Sequence, residues 1–316
     1  MELQWPLILF TTFVVWSAGL FGAQGAAALA GEGRRAQMPA LVASAALLAV
    51  GGVAVFFHLE HWERIFNGFG NPTSGITQEL ACIVAVGVLM VVAFVMLRRG
   101  ASDGAGGKVG VAGGSAAAAA SKAANAGAPA LPKWLAALMI VAAALLVLVT
   151  GHSYMMAARP AWDSVLGPLS LLGAACAAGP LTFAVIEVTR DEVVGRAIAL
   201  FSLIGSIANL AVSVSYLAFM EMASASYTDV GYYYDPTHPT AGMVDVTALA
   251  PFAGESVAMV AVAVVATAVP VACAIVGRKT GNWKVWGAVG ALCAVVGAVA
   301  LRMAFYSVGA SVYLFY

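Results

Sequence analysis

The chain has 316 residues, 62% of them hydrophobic and 9% charged, with fifteen basic side chains against fifteen acidic ones. Soluble domains carry about 25% charged residues, so this composition excludes an ordinary soluble enzyme and belongs in a bilayer. Nucleic acid is not an expected partner.

A spanning helix needs about 20 predominantly apolar residues. Eight such runs occur, near residues 7–29, 38–57, 80–97, 134–152, 165–186, 197–219, 255–277 and 285–306. They are rich in Ala, Leu, Val and Gly, without the period-two alternation of a membrane barrel. The expected fold is therefore all-α: a single polytopic membrane domain, 1–316, of eight transmembrane helices.

The opening "MELQWPLILF" lacks a basic n-region, and the apolar segment after it is too long for a signal-peptide core, so it is expected to stay as helix 1. Between helices 2 and 3 lies "FFHLEHWERIFNGFGNPTSGITQEL". There Leu59, Trp62, Ile65, Phe66 and Phe69 recur at helical spacing, while Glu60, His61, Glu63, Arg64 and Asn67 fill the other face, which predicts a short interfacial helix. "GNPTSG" breaks it, and Ser74 or Thr73 can cap helix 3, placing Glu79 in an early turn. His58 at the end of helix 2 and Glu79 at the start of helix 3 should then meet at one depth.

Residues 98–133, after helix 3, are rich in Gly, Ala and Ser and cannot bury a core, so they read as a flexible loop. After helix 4 comes His152 in "VTGHSYMMAARPAW". The loop 220–254 holds "SASYTDVGYYYDPTHPTAGMVDV", whose tyrosines suit either a partner interface or the aromatic belt at the membrane surface. Helix 8 carries Arg302, which must find a partner inside the bundle, and Tyr306. Cys82, Cys176, Cys273 and Cys293 stand singly, without metal-site spacing, and read as small apolar fillers.

Lysine and arginine mark cytoplasmic loops. The odd-numbered loops hold twelve of them and the even-numbered loops only Arg64 and Arg159. Both termini are therefore expected to be extracytoplasmic, with His58 and Glu79 near that face. Ionisable groups at a membrane boundary are costly and mark a functional site. The charges of the interfacial helix read as a solvated face, while His58 and Glu79, set against apolar spans, read as a site. Arg64 can pair with Glu60 at i, i+4 or serve that site.

The stretch "HLEHWERIFNGFGNPTSGITQEL" resembles the helix 2 to helix 3 signature of the membrane anchor subunits of dimethyl sulfoxide reductase-type molybdoenzymes, related to the polysulfide reductase membrane subunits. His58, Leu59, Arg64, Asn67, Ser74 and Glu79 fall into that pattern. "QWPLILFTTF" is similar to the family's start, "GPLSLLGAACAAGPL" to its fifth helix and "LRMAFY" to the end of its last.

The resemblance implies an anchor that oxidises menaquinol, its substrate, and passes electrons to an iron–sulfur subunit and on to a molybdopterin catalytic subunit, both on the extracytoplasmic side of the cell membrane. Iron–sulfur clusters and molybdopterin would sit in those partners, with no haem or metal bound by this chain. A quinol gives up two protons with its two electrons, and histidine accepts protons near neutral pH. His58 and Glu79 are thus the expected catalytic acceptors. Arg64, Arg302 and Tyr306 are expected to bind the quinol with them. Other readings are a quinone-reducing anchor running in the opposite direction, a b-type haem between His58 and His152, and a secondary transporter. No second copy of the His/Arg/Glu cluster supports an inverted repeat.

Overall fold

The computed structural model describes residues 3–58, 61, 67, 70–104, 130–228, 249–254 and 256–311, without the side chains of 101–104, 227 and 228. Among the described residues there is no strand, and eight helices are long and apolar enough to cross a membrane. They are α1 (Trp5–Ala30), α2 (Gln37–Phe56), α3 (Gly75–Gly104), α4 (Lys133–His152), α5 (Leu166–Thr189), α6 (Arg196–Thr228), α7 (Ser256–Thr280) and α8 (Trp283–Ser307). The interfacial helix expected over 59–69, the tyrosine-rich segment, Arg64 and His238 lie outside the described residues, apart from exposed His61 and Asn67.

These helices are apolar all round, so hydrophobicity does not choose which face is buried; close packing of small residues does. A Cβ on Gly179 of α5 would collide with the backbone of Gly19 on α1, and one on Gly205 of α6 with the Cys176 carbonyl of α5. Side-chain bonds stitch α1 to its neighbours: Trp16 Nε1 donates to Thr182 Oγ1 at 2.9 Å, Ser17 Oγ to the Ser44 carbonyl at 2.7 Å, and Gln24 Nε2 to the Gln37 carbonyl at 2.9 Å. The outcome is a bundle built around α1 and α5, which are 72% and 67% buried over their apolar windows, against 22% for both α2 and α3. The peripheral pair is the least buried.

Ile8 near the start of α1 shares a buried cluster with Leu301 and Phe305 near the end of α8, so α1 starts and α8 ends at one end of the bundle, called the upper end here. At the lower end the turns clasp one another. Gly31 closes α1 in the left-handed region at φ 75°. The Glu32 carboxylate accepts from the Ala197 amide at the start of α6, and Glu192 accepts from the Arg35 and Ala36 amides ahead of α2. Carboxylates at helix N-termini are favoured by the helix dipole.

At the upper end, Ile8, Trp162, Tyr216, Leu301 and Phe305 form a buried cluster that packs the segment after α4 against α8. This cluster makes the floor of the site described next.

Candidate functional site

Helix α3 begins at Gly75, where a Cβ would sit 2.9 Å from Cβ of Ser153, so the start of α3 is pressed against the segment after α4. Ser74 stands at the residue before α3, while the Thr73 hydroxyl donates to Asn71 Oδ1 at 2.8 Å. This fixes Glu79 in the second turn, facing inward. A cavity of about 320 Å³ opens there between the start of α1, the end of α2, the start of α3, the segment after α4 and the end of α8. Small-molecule pockets span about 300–1,000 Å³.

Its apolar side is made by Leu7 and Phe10 of α1, Val55 of α2, and Ile76, Leu80 and Ile83 of α3. Its polar side holds Gln4, His58, Glu79, Tyr154, Arg159 and Tyr306. Three of the five residues expected at the site, His58, Glu79 and Tyr306, therefore line one cavity although they come from three separated stretches. Helix α3 packs far more on α4 than on α2, so the cavity is bordered by the two least buried helices.

The individual environments differ. His58 is exposed at the cavity mouth rather than tucked against apolar spans as expected, because α2 ends at Phe56 and the chain turns outward at Phe57 and His58. Glu79 is 7% exposed, and its Oε1 has no hydrogen-bond partner. The Thr150 hydroxyl lies beside it, and it senses the charge of Arg302. Arg302 is buried and does not line the cavity; its guanidinium lies 4.8 Å from the Phe305 ring centroid and 5.7 Å from that of Tyr154, with Nη2 unbonded. Arg302 thus sits against aromatic rings, within electrostatic reach of Glu79. His152 is exposed and does not line the cavity.

Sequence reasoning missed Tyr154, Arg159 and Trp162. Trp162 stacks on Phe305 at 4.3 Å between centroids, and its indole donates to the Phe305 carbonyl at 2.8 Å. Arg159 lies 4.3 Å over the Trp162 ring and donates to the Gly309 carbonyl at 2.6 Å. Tyr154 meets the rings of Trp162, Phe305 and Tyr306 edge-on at 6.3, 5.9 and 6.3 Å. Desolvation by burial pushes the Tyr154 hydroxyl well above the usual phenol range, and Tyr306 and Glu79 add to that. Tyr154 therefore stays protonated at neutral pH and is a donor. Tyr306 Oη has no hydrogen-bond partner, nor has Glu79 Oε1, so a ligand in the cavity meets a phenol and a carboxyl with unused bonding capacity.

Arg159 closes this wall by holding the segment after α8. Arg159→Ala removes the cation–π contact and the bond to Gly309, and it is expected to destabilise the detergent-solubilised protein by about 1–2 kcal/mol, read as a lowered midpoint of thermal unfolding.

No protein-family model matches the chain, and no curated protein matches it either.

Proposed function

We propose that the cavity is a quinol-oxidation site near the extracytoplasmic face, and that the chain is the membrane anchor of a dimethyl sulfoxide reductase-type molybdoenzyme. The observation that carries this reading is the convergence of His58, Glu79 and Tyr306 on one cavity whose lining is otherwise largely apolar. An amphiphile with a hydroxylated ring and a hydrocarbon tail suits both sides.

In this reading the ring enters between α2 and α3 with its hydroxyls toward Glu79 and the tyrosines. Oxidation of the quinol to the quinone releases two electrons and two protons. Glu79, buried with a free oxygen, accepts one proton from a ring hydroxyl; His58, at the mouth, accepts the other and exchanges it with outside water. Protonated Tyr154 and unbonded Tyr306 donate to the ring oxygens and hold the ring in register. Arg302, behind Tyr154, offers fixed positive charge to the anionic form of the ring. Arg64 belongs to the proposal through the resemblance alone.

Electrons pass to an iron–sulfur subunit docked on the extracytoplasmic side and from there to a molybdopterin subunit, in anaerobic respiration. Menaquinol is the proposed donor, and the segment 220–254 forms the proposed docking face. Flow in the opposite direction would use the same groups in reverse.

The test is quinol-dependent reduction of the partner subunits in membranes carrying His58→Ala, with assembly of the complex followed in parallel. A fall of about 10²-fold or more in an intact complex is expected. Unchanged turnover would remove His58 from the site.

A further inference from the structure

The lower end of the bundle carries most of the positive charge, and its corners differ in how that charge is answered. In the turn after α1, Glu32 precedes Arg34 and Arg35, and in the turn after α5, Asp191 and Glu192 stand between Arg190 and Arg196. Acids and bases are mixed there. The corner between α7 and α8 is different: Arg278, Lys279 and Lys284 are all exposed within seven residues, and Thr280, Gly281, Asn282 and Trp283 between them include no acid.

These cations are not needed to close the turn. The Thr280 hydroxyl donates to the Val276 carbonyl at 2.8 Å, the Gly281 amide donates to the Gly277 carbonyl at 2.8 Å, and Asn282 Oδ1 accepts from the Val285 amide at 3.4 Å. Gly281 takes the left-handed φ of 73° that stops α7. Trp283 is buried beside the turn, where a Cβ on Gly277 would lie 2.9 Å from its ring. None of these closing contacts uses a charged side chain.

Depth decides what meets the charges. Helices α7 and α8 have 25 residues each, or about 37 Å, against a hydrocarbon core of about 30 Å. The last turn of α7 and the first turn of α8 therefore reach the headgroup layer. Trp286, half-buried in that first turn, is the kind of side chain that settles at this boundary.

Inward from the cations the same two helices are apolar and exposed. On α7, Ile275 lies one turn from Lys279 on the same face, and on α8, Val285, Val289 and Leu292 recur at i, i+4 and i+7. Only two residues, Gly281 and Asn282, separate the helices, which leaves an acidic soluble protein little to hold. An amphiphile with an anionic head and hydrocarbon chains matches both parts.

We propose that the α7–α8 corner binds an anionic glycerophospholipid of the lower leaflet, with its phosphate on Arg278, Lys279 and Lys284 and its acyl chains along Ile275 and the Val285, Val289 and Leu292 stripe. Lysine and arginine stems cover apolar surface while their heads reach outward. The guanidinium of Arg278 can take two phosphate oxygens at once, and the two lysines act as point charges. Three such cations give a preference of up to about 10²-fold for an anionic over a zwitterionic headgroup. The site is independent of the quinol reading.

Native mass spectrometry of the full chain, released from detergent micelles holding equal amounts of phosphatidylglycerol and phosphatidylcholine, reads which lipid stays bound. Phosphatidylglycerol is expected to be retained at least about 10-fold better. Its retention should fall several-fold in the triple variant Arg278→Gln, Lys279→Gln, Lys284→Gln and part of the way in Lys284→Gln alone, which decides the matter if the triple variant unfolds. The triple variant Arg98→Gln, Arg99→Gln, Lys133→Gln, at the ends of α3 and α4, should keep it, and millimolar inorganic phosphate should not displace it. Equal retention of both lipids by the wild type, undiminished retention in the α7–α8 variants, an equal loss in the α3 and α4 variant, or displacement by phosphate would overturn the site.

Discussion

Glu79→Gln is expected to lower quinol-dependent electron transfer by about 10²- to 10⁴-fold, the usual worth of a positioned proton acceptor. Glutamine keeps the shape of the side chain and can bond to a ring hydroxyl, but it cannot take the proton. The loss should therefore fall on kcat, with KM little changed. Stability should stay nearly level. Glu79 is 7% exposed with an unbonded oxygen, and a glutamine of the same shape leaves a buried polar group there too, so the change should stay within about 1 kcal/mol. Steady-state turnover of the assembled complex, together with a thermal unfolding curve of the anchor, checks both parts. A fall in turnover that merely tracks a fall in stability would mark Glu79 as structural.

Gly179→Val should be the most damaging substitution for the bundle itself. A Cβ there runs into the Gly19 backbone, at the crossing of the two most buried helices, and backbone cannot move aside as a flexible side chain does. Overpacking costs of about 3 kcal/mol or more are expected, seen as loss of folded protein in membranes or a sharply lowered unfolding midpoint. Gly52→Ala in α2 is the matching control, because a Cβ there meets nothing within 4 Å. It should be neutral or stabilise by about 0.5–1 kcal/mol through the helix-interior preference for alanine.

The eight helices were legible because a bilayer forces every span to be a long apolar run. Their ends were not. Hydropathy reports where the oil stops, whereas backbone hydrogen bonding continues into water. Helix α3 thus begins at Gly75 and not near residue 80, taking in the polar "GITQE", and runs past Arg98 and Arg99 to Gly104. Helix α6 likewise continues beyond residue 219 to Thr228.

Within the site, His58, Glu79 and Tyr306 could be found because ionisable and phenolic groups at helix ends stand out against aliphatic neighbours. Tyr154 and Trp162 could not, since in sequence they look like any aromatic pair at a membrane surface. Arg159 did leave a signal: with Arg64 it is one of two basic residues in the even-numbered loops. The aromatic setting of Arg302 was hidden because the rings that receive it come from α8 and from the segment after α4, whose approach is set by tertiary packing.

The cavity between α1, α2, α3, α8 and the segment after α4 is the proposed seat of the quinol. Its most direct test is photolabelling of the purified protein with an azido-quinone, followed by peptide mass spectrometry, with excess unlabelled quinone as competitor. Competable labels confined to Ile76–Ile83, Ser153–Trp162 and the Tyr306 peptide are expected. Labels spread over the lipid-facing surfaces of α2, α3 and α7, undiminished by the competitor, would contradict the account.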